Sequence, residues 1–267
     1  MFKLKTLLRG VMGLACLVLS VTSANASVIN LGFSLDESGS VGTTNFNTTR
    51  DALADALAVI PTTGAIEYRI AVTTFASGFT SVIAPTIVTS SNLAALQAQL
   101  RATTFNGGGT NTAGAIDNLT SLFSAYSSDL TLFNITTDGS PNSQSAAENS
   151  ALAAFNSFVD GISFEAVGSG ITNATSLARM ARIAGLGTSG VAADGVIVND
   201  ITAIPNAATT GFVIPVSDFA AYSAAITAKI GQIVTDTGGA DPVPSPHIFL
   251  LFGLGFVAVF IRTKAKV

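Results

Sequence analysis

The chain has 267 residues, 48% of them hydrophobic, which is enough for one α/β domain with a sizeable core. All 16 acidic residues lie between Asp36 and Asp241, where only six bases (Arg50, Arg69, Arg101, Arg179, Arg182 and Lys229) oppose them, a formal charge of −10 over that stretch. That balance makes nucleic acid a poor partner and divalent cations good ones, and the single cysteine, Cys16, leaves the mature chain without disulfides or thiolate chemistry.

Lys3, Lys5 and Arg9 precede the apolar run Val11 to Val21, and Ala24-Asn25-Ala26 supplies a small-x-small cleavage site. Residues 1–26 therefore read as a secretory signal peptide for signal peptidase. Val28, Ile29, Leu31, Phe33 and Leu35 then run too continuously for a strand with one wet face, so this strand is placed centrally in a parallel sheet covered on both sides. It feeds the loop Asp36-Glu-Ser38-Gly-Ser40, whose carboxylate and hydroxyl oxygens suit a hard cation such as Mg²⁺, Mn²⁺ or Ca²⁺. Ligands of open α/β sheets bind at this carboxyl end of the strands.

Thr43 to Ile60 has helical periodicity and stops at Pro61; Ile66 to Phe75 is a second strand, expected to be less buried, and Phe79 to Ala84 an edge strand paired with it as a hairpin. Ser91 is the expected cap of a short helix carrying Leu93, Leu96 and Leu100. The glycine-rich loop from Phe105 to Thr112 opens a helix with Ile116, Leu119, Phe123 and Tyr126 on one face. Leu130 to Thr137 is a buried strand that delivers Asp138 to its carboxyl end. A helix over 143–160, a strand over 162–167 and a helix over 173–184 follow; residues 185–210 resist assignment apart from a short strand at Val196 to Val198. Phe212 to Pro215 is the last strand, and Asp218 the expected cap of a helix carrying Phe219, Tyr222, Ile226, Ile230 and Ile233. This alternation argues for a doubly wound, mostly parallel α/β sheet with one antiparallel edge strand, flanked by helices, in one domain over residues 27–238.

Residues 239–267 read as a tail: a proline-rich spacer, the apolar run Ile248 to Ile261, and a basic end of Arg262, Lys264 and Lys266. Fourteen helical residues span only about 21 Å, short of a hydrocarbon core of about 30 Å, so a transient membrane segment fits better than a permanent anchor.

Three loops thus present Asp36, Ser38 and Ser40, then Gly109-Thr110, then Thr137-Asp138-Gly139. In order and spacing this constellation resembles the von Willebrand factor A (vWA) domain, whose metal-ion-dependent adhesion site (MIDAS) is built from Asp-x-Ser-x-Ser, a glycine-led Thr and an Asp after a later buried strand. The resemblance implies a six-stranded sheet ordered 3-2-1-4-5-6, and a divalent cation, Mg²⁺ first, held by Asp36, Ser38, Ser40, Thr110 and Asp138. Two carboxylates and three neutral hydroxyls leave such an ion short of its six preferred oxygens, so an Asp or Glu of a protein or matrix partner can complete it. Alone, each motif has a plainer reading: Asp-x-Ser-x-Ser as a surface turn, Gly-Gly-Gly-Thr as a flexible loop or helix cap. Val243-Pro-Ser-Pro246 with its apolar run and basic end resembles the PEP-CTERM sorting signal of Gram-negative bacteria, with Ser245 where Glu is usual; the resemblance implies an exosortase as processing partner and delivery to the cell surface or extracellular matrix.

The expected function is non-enzymatic, metal-dependent adhesion or interaction. The alternatives are a hydrolase that activates water on the same metal and a structural matrix protein. His247, the only histidine, lies in the tail, so the domain has no imidazole base and no Ser-His-Asp triad. Glu37 and Glu165 are candidate carboxylate bases, Glu37 being expected as a solvated loop residue. Gly107 to Gly109 is no Walker loop, since no Gly-Lys-Ser/Thr follows it.

Overall fold

A computed structural model describes residues 26–171, 173–187 and 195–238; the signal peptide read over 1–26 and the tail over 239–267 fall outside these residues, but for Ala26. Its centre is a seven-stranded sheet. The strands are β1 (Ser27–Asp36), β2 (Ile66–Phe75), β3 (Phe79–Ile87), β4 (Leu130–Thr137), β5 (Gly161–Val167), β6 (Val196–Ile197) and β7 (Phe212–Val216), in the spatial order β3-β2-β1-β4-β5-β7-β6. Every pairing is parallel except β2 with β3. The expected order holds for the six longer strands. The count of six is corrected to seven because Val196–Ile197, inside the short strand expected over Val196 to Val198, pairs with the outer side of β7.

The helices are α1 (Gly42–Ala56, followed by a 3₁₀ turn at Leu57–Val59), α2 (Leu93–Arg101), α3 (Thr112–Phe123), α4 (Gln144–Phe155), α5 (Ala174–Gly185) and α6 (Tyr222–Asp236). They pack in two layers, one on each face of the sheet. One core joins α1, α2 and α6 through Phe46, Leu53, Leu100, Ile226 and Ile230, and the other joins α3, α4 and α5 through Ile116, Leu119, Ala151, Met180 and Ile183.

β1 shows why its residues make a central strand. Ile29, Leu31, Phe33 and Leu35 all belong to the α1–α6 core, so the apolar residues share a single face. The opposite face carries Asn30, Gly32 and Ser34, which are buried too. A Cβ on Gly32 would sit 2.9 Å from Phe133 Cδ1 and 3.2 Å from Leu119, so the missing side chain lets α3 close on the sheet. β2 is more buried than its charged residues suggested, since only Ile66, Glu67 and Arg69 reach solvent.

Element ends differ in informative ways. Ser91 does not cap α2; Asn92 holds that position and turns its side chain back to accept from the Thr89 N–H at 2.8 Å. Asp218 accepts from the Ala221 N–H at 2.9 Å, which caps a turn one step before α6 starts. α3 stops at Phe123, leaving Tyr126 outside the helix beneath the Arg69 guanidinium, 4.9 Å from its ring centroid. β3, an edge strand, contains Pro85 and two register shifts against β2.

Candidate metal centre

β1 and β4 lie side by side in parallel register, with Leu35 opposite Thr136, so their carboxyl ends emerge together. Asp36 closes β1 as a buried residue. Its Oδ1 accepts from the Ser38 N–H at 2.7 Å, and its Oδ2 accepts from the Thr137 hydroxyl at 2.6 Å. The loop thereby folds back on its own aspartate, and the end of β4 is fastened to it.

Ser38 and Ser40 place their hydroxyls 3.1 Å apart, and Ser40 Oγ donates to Asp138 Oδ1 at 2.8 Å. Thr110 arrives from the glycine loop. Its carbonyl accepts from the Asn142 N–H at 2.9 Å and its own N–H donates to Asn142 Oδ1 at 3.2 Å, which docks the loop on the turn after Asp138. A Cβ on Gly139 would lie 3.0 Å from Thr110 Oγ1, so glycine at that position leaves room for the hydroxyl beside Asp138. On the other side the Gly39 N–H donates to Gly108 O at 2.8 Å, and Gly108 takes a φ of +130° that side chains resist. All five expected residues are therefore brought to one place by three loops. Asp36, Ser38, Ser40 and Asp138 join in one hydrogen-bonded chain, and Thr110 stands against Gly139.

The electrostatics of this cluster are uncompensated. Burial raises the Asp36 carboxyl to about 6, against the hydrogen bonds from Thr137 and Ser38, with a further push from Asp138. Burial also raises Asp138, against the Ser40 hydrogen bond. No Lys or Arg is among the groups acting on either one. Two partly desolvated acids in one cluster with no cationic side chain acting on them form a donor set that a positive ion would relieve. Among the described residues no three His, Cys, Asp or Glu side chains cluster, so an ion held here would rest on two carboxylates and on hydroxyls, the oxygen set of a hard cation.

Three supporting residues escaped the sequence reading. Thr137 anchors Asp36, and its only signal was to be the last buried position of β4, directly before Asp138. Asn142 locks the Thr110 loop with no sequence signal beyond its nearness to Asp138. Glu37 was expected to be solvated and is instead only 2% exposed. The Glu37 N–H still donates to Phe75 O at 2.8 Å, which extends the strand pairing by one residue and turns the side chain inward. Its carboxylate accepts from Thr74 Oγ1 at 2.8 Å and from the N–H of Asn106 at 3.2 Å, so it braces the glycine loop.

A family model described as von Willebrand factor type A domain matches residues 30–224. The chain belongs to this family. Among solved structures, proximal thread matrix protein 1 from the mussel byssus, with a zinc-occupied MIDAS motif, aligns with a TM-score of 0.56 at 19% identity over 77% of this chain and 46% of that one. A von Willebrand factor type A structure from Catenulispora acidiphila gives 0.60 at 14% identity, over 78% and 43% of the two chains. The pilus adhesin SpaC from Lactobacillus rhamnosus GG in its open conformation gives 0.57 at 13%, over 79% and 30%. Identities this low show the shared vWA fold alone, and the chain spans less than half the length of each of these proteins. No curated protein matches this vWA chain significantly in sequence.

Proposed function

We propose that this chain is an exported, non-enzymatic interaction module in which Asp36, Ser38, Ser40, Thr110 and Asp138 hold one divalent cation, Mg²⁺ by preference, with Mn²⁺ or Ca²⁺ as substitutes. The ion would supply a Lewis-acidic position for an Asp or Glu carboxylate of a protein or matrix partner. The observation that carries this reading is the closure of the Asp36 loop on the Asp138 turn through Ser40, two raised acids brought together with no Lys or Arg acting on either. The mussel thread protein, a matrix protein with a zinc-occupied MIDAS motif, and the pilus adhesin support the same reading. Binding is favoured over hydrolysis because both candidate carboxylate bases are engaged: Glu37 braces the glycine loop, and Glu165 is fully buried against Lys229.

Isothermal titration of Mg²⁺ into the metal-free full chain tests the site. One ion per chain is expected, with the heat lost in Asp36→Ala and Asp138→Ala while far-UV circular dichroism stays unchanged; equal heats in all three proteins overturn the reading. Export is part of the proposal, resting on the residues 1–26 and 239–267. No helix among the described residues is long and apolar enough to cross a membrane. Signal peptidase and an exosortase would act in transit, with the 239–267 tail touching the membrane for that time. Fractionation of producing cells is expected to find the chain at the surface or in the matrix, its mass lowered by the first 26 residues; an intact chain in the cytoplasm overturns this.

A further inference from the structure

The −10 stretch repels an acidic ligand nearly everywhere, so the exceptions matter. Five of its six cationic side chains are engaged: Arg50 with Asp51, Arg101 with Asp55, Arg182 with Glu148, Lys229 with Glu165, and Arg69 with Asn30. The sixth is Arg179, exposed on α5, whose guanidinium meets no hydrogen-bond or ion-pair partner among the described residues. It lines an open groove of about 870 Å³ between α4 and α5, together with Gln144 and Glu148 on one side and Ala178 and Arg182 on the other. Two arginines against one glutamate make this groove locally positive on an otherwise acidic domain.

The groove also lies beside the candidate metal centre. Ser140, two residues beyond Asp138, donates to Ser176 Oγ at 3.3 Å. Ser176 and Arg179 are one turn apart on α5, neighbours on one helix face with Cβ atoms about 5–6 Å apart. Long side chains on a helix lean toward its N-terminus, which here is the end nearer the metal loops. An extended peptide advances about 3.3 Å per residue, so the number of residues between two acids sets how far beyond the metal position the second one reaches.

We propose that Arg179 sets ligand specificity: the partner is an acidic peptide segment whose first carboxylate completes the metal and whose second pairs with Arg179 in the α4–α5 groove. This rests on the metal-centre reading above. The probes are capped, fluorescein-labelled peptides with one Asp, or with an Asp followed by a Glu after one, three or five glycines, titrated against the full chain in Mg²⁺ and in EDTA. In Mg²⁺ the best two-acid peptide is expected to bind about 2–5-fold more tightly than the one-acid peptide, the factor an exposed ion pair gives. Arg179→Ala is expected to bring that ratio to one without changing the one-acid affinity, Arg179→Lys to keep part of it, and Arg179→Glu to invert it. EDTA-sensitive binding with the same ratio in wild type and Arg179→Ala overturns the groove assignment and leaves the metal centre standing. Binding of both peptides that ignores EDTA overturns the metal centre and this inference together. Arg179 is exposed, so its variants are expected to keep the wild-type far-UV spectrum.

Discussion

Asp36 holds its proton more tightly in the folded chain than in the unfolded one, because burial raises its carboxyl from 3.8 to about 6. Between those values the unfolded chain has released a proton that the folded chain keeps. Stability from this group is therefore full below about pH 4 and falls as pH rises through 6, by about 3 kcal/mol for a shift of about two units. In EDTA, the fall in urea midpoint between pH 4 and 7 is expected to be smaller in Asp36→Asn than in wild type, and saturating Mg²⁺ at pH 7 is expected to restore the wild-type loss. A neighbouring residue permits a second test. The Thr137 hydroxyl donates to Asp36 Oδ2 and is not one of the five proposed donors, and removal of such an outer partner lowers metal affinity by about 10–100-fold. Thr137→Val is expected to show that loss by Mg²⁺ titration with its thermal unfolding little changed in EDTA. The five residues of the candidate site were legible in the sequence because their types, order and spacing match the vWA motif that the chain resembles. Thr137, Glu37 and Asn142 were not, since a threonine, a glutamate and an asparagine near a turn acquire their roles only when strands from distant parts of the chain meet.

At the level of elements, α6 is fastened to the sheet by charge as well as by Ile226 and Ile230. Lys229 and Glu165 form an ion pair with neither side chain exposed, and the Thr136 hydroxyl lies 3.0 Å from both Glu165 Oε2 and the Tyr222 hydroxyl. Burial lowers Lys229 from its ordinary range, opposed by Glu165, and raises Tyr222 well above its own. Lys229→Met leaves Glu165 buried and unpaired and is expected to cost about 3–5 kcal/mol in urea denaturation, whereas the double variant Lys229→Met with Glu165→Leu is expected to recover most of it. This network is placed one residue below Thr137, so the same strand carries the ion-pair support and the anchor of Asp36. The periodicity of α6 revealed its apolar stripe and nothing of this polar contact, because a lysine on a helix reads as solvent-facing until the sheet opposite it is known. The helix ends were misread for a related reason. Ser91 and Asp218 are good capping residues, but Asn92 and the turn before Tyr222 took those positions, and backbone N–H groups donate to whichever nearby oxygen the local turn delivers.

Over the whole molecule, the fold was readable to the extent that apolar runs alternated with periodic segments. Six strands and their order followed from that alternation and from the family likeness. Between α5 and β7 only a short strand over Val196 to Val198 was expected, and β6 stands there at Val196–Ile197; the rest of that stretch, rich in Gly, Ala, Asp and Thr, has no period to assign it by. That small strand also bears on how the protein behaves in a crowd. One border of the sheet is β6, two residues long; the other is β3, interrupted by Pro85 and by two shifts of register. Neither offers a long, flat row of unpaired amides on which another copy could template itself. Many copies of this domain could therefore be packed into one coat or fibre and still meet one another through their side chains, without fusing backbone to backbone into amyloid.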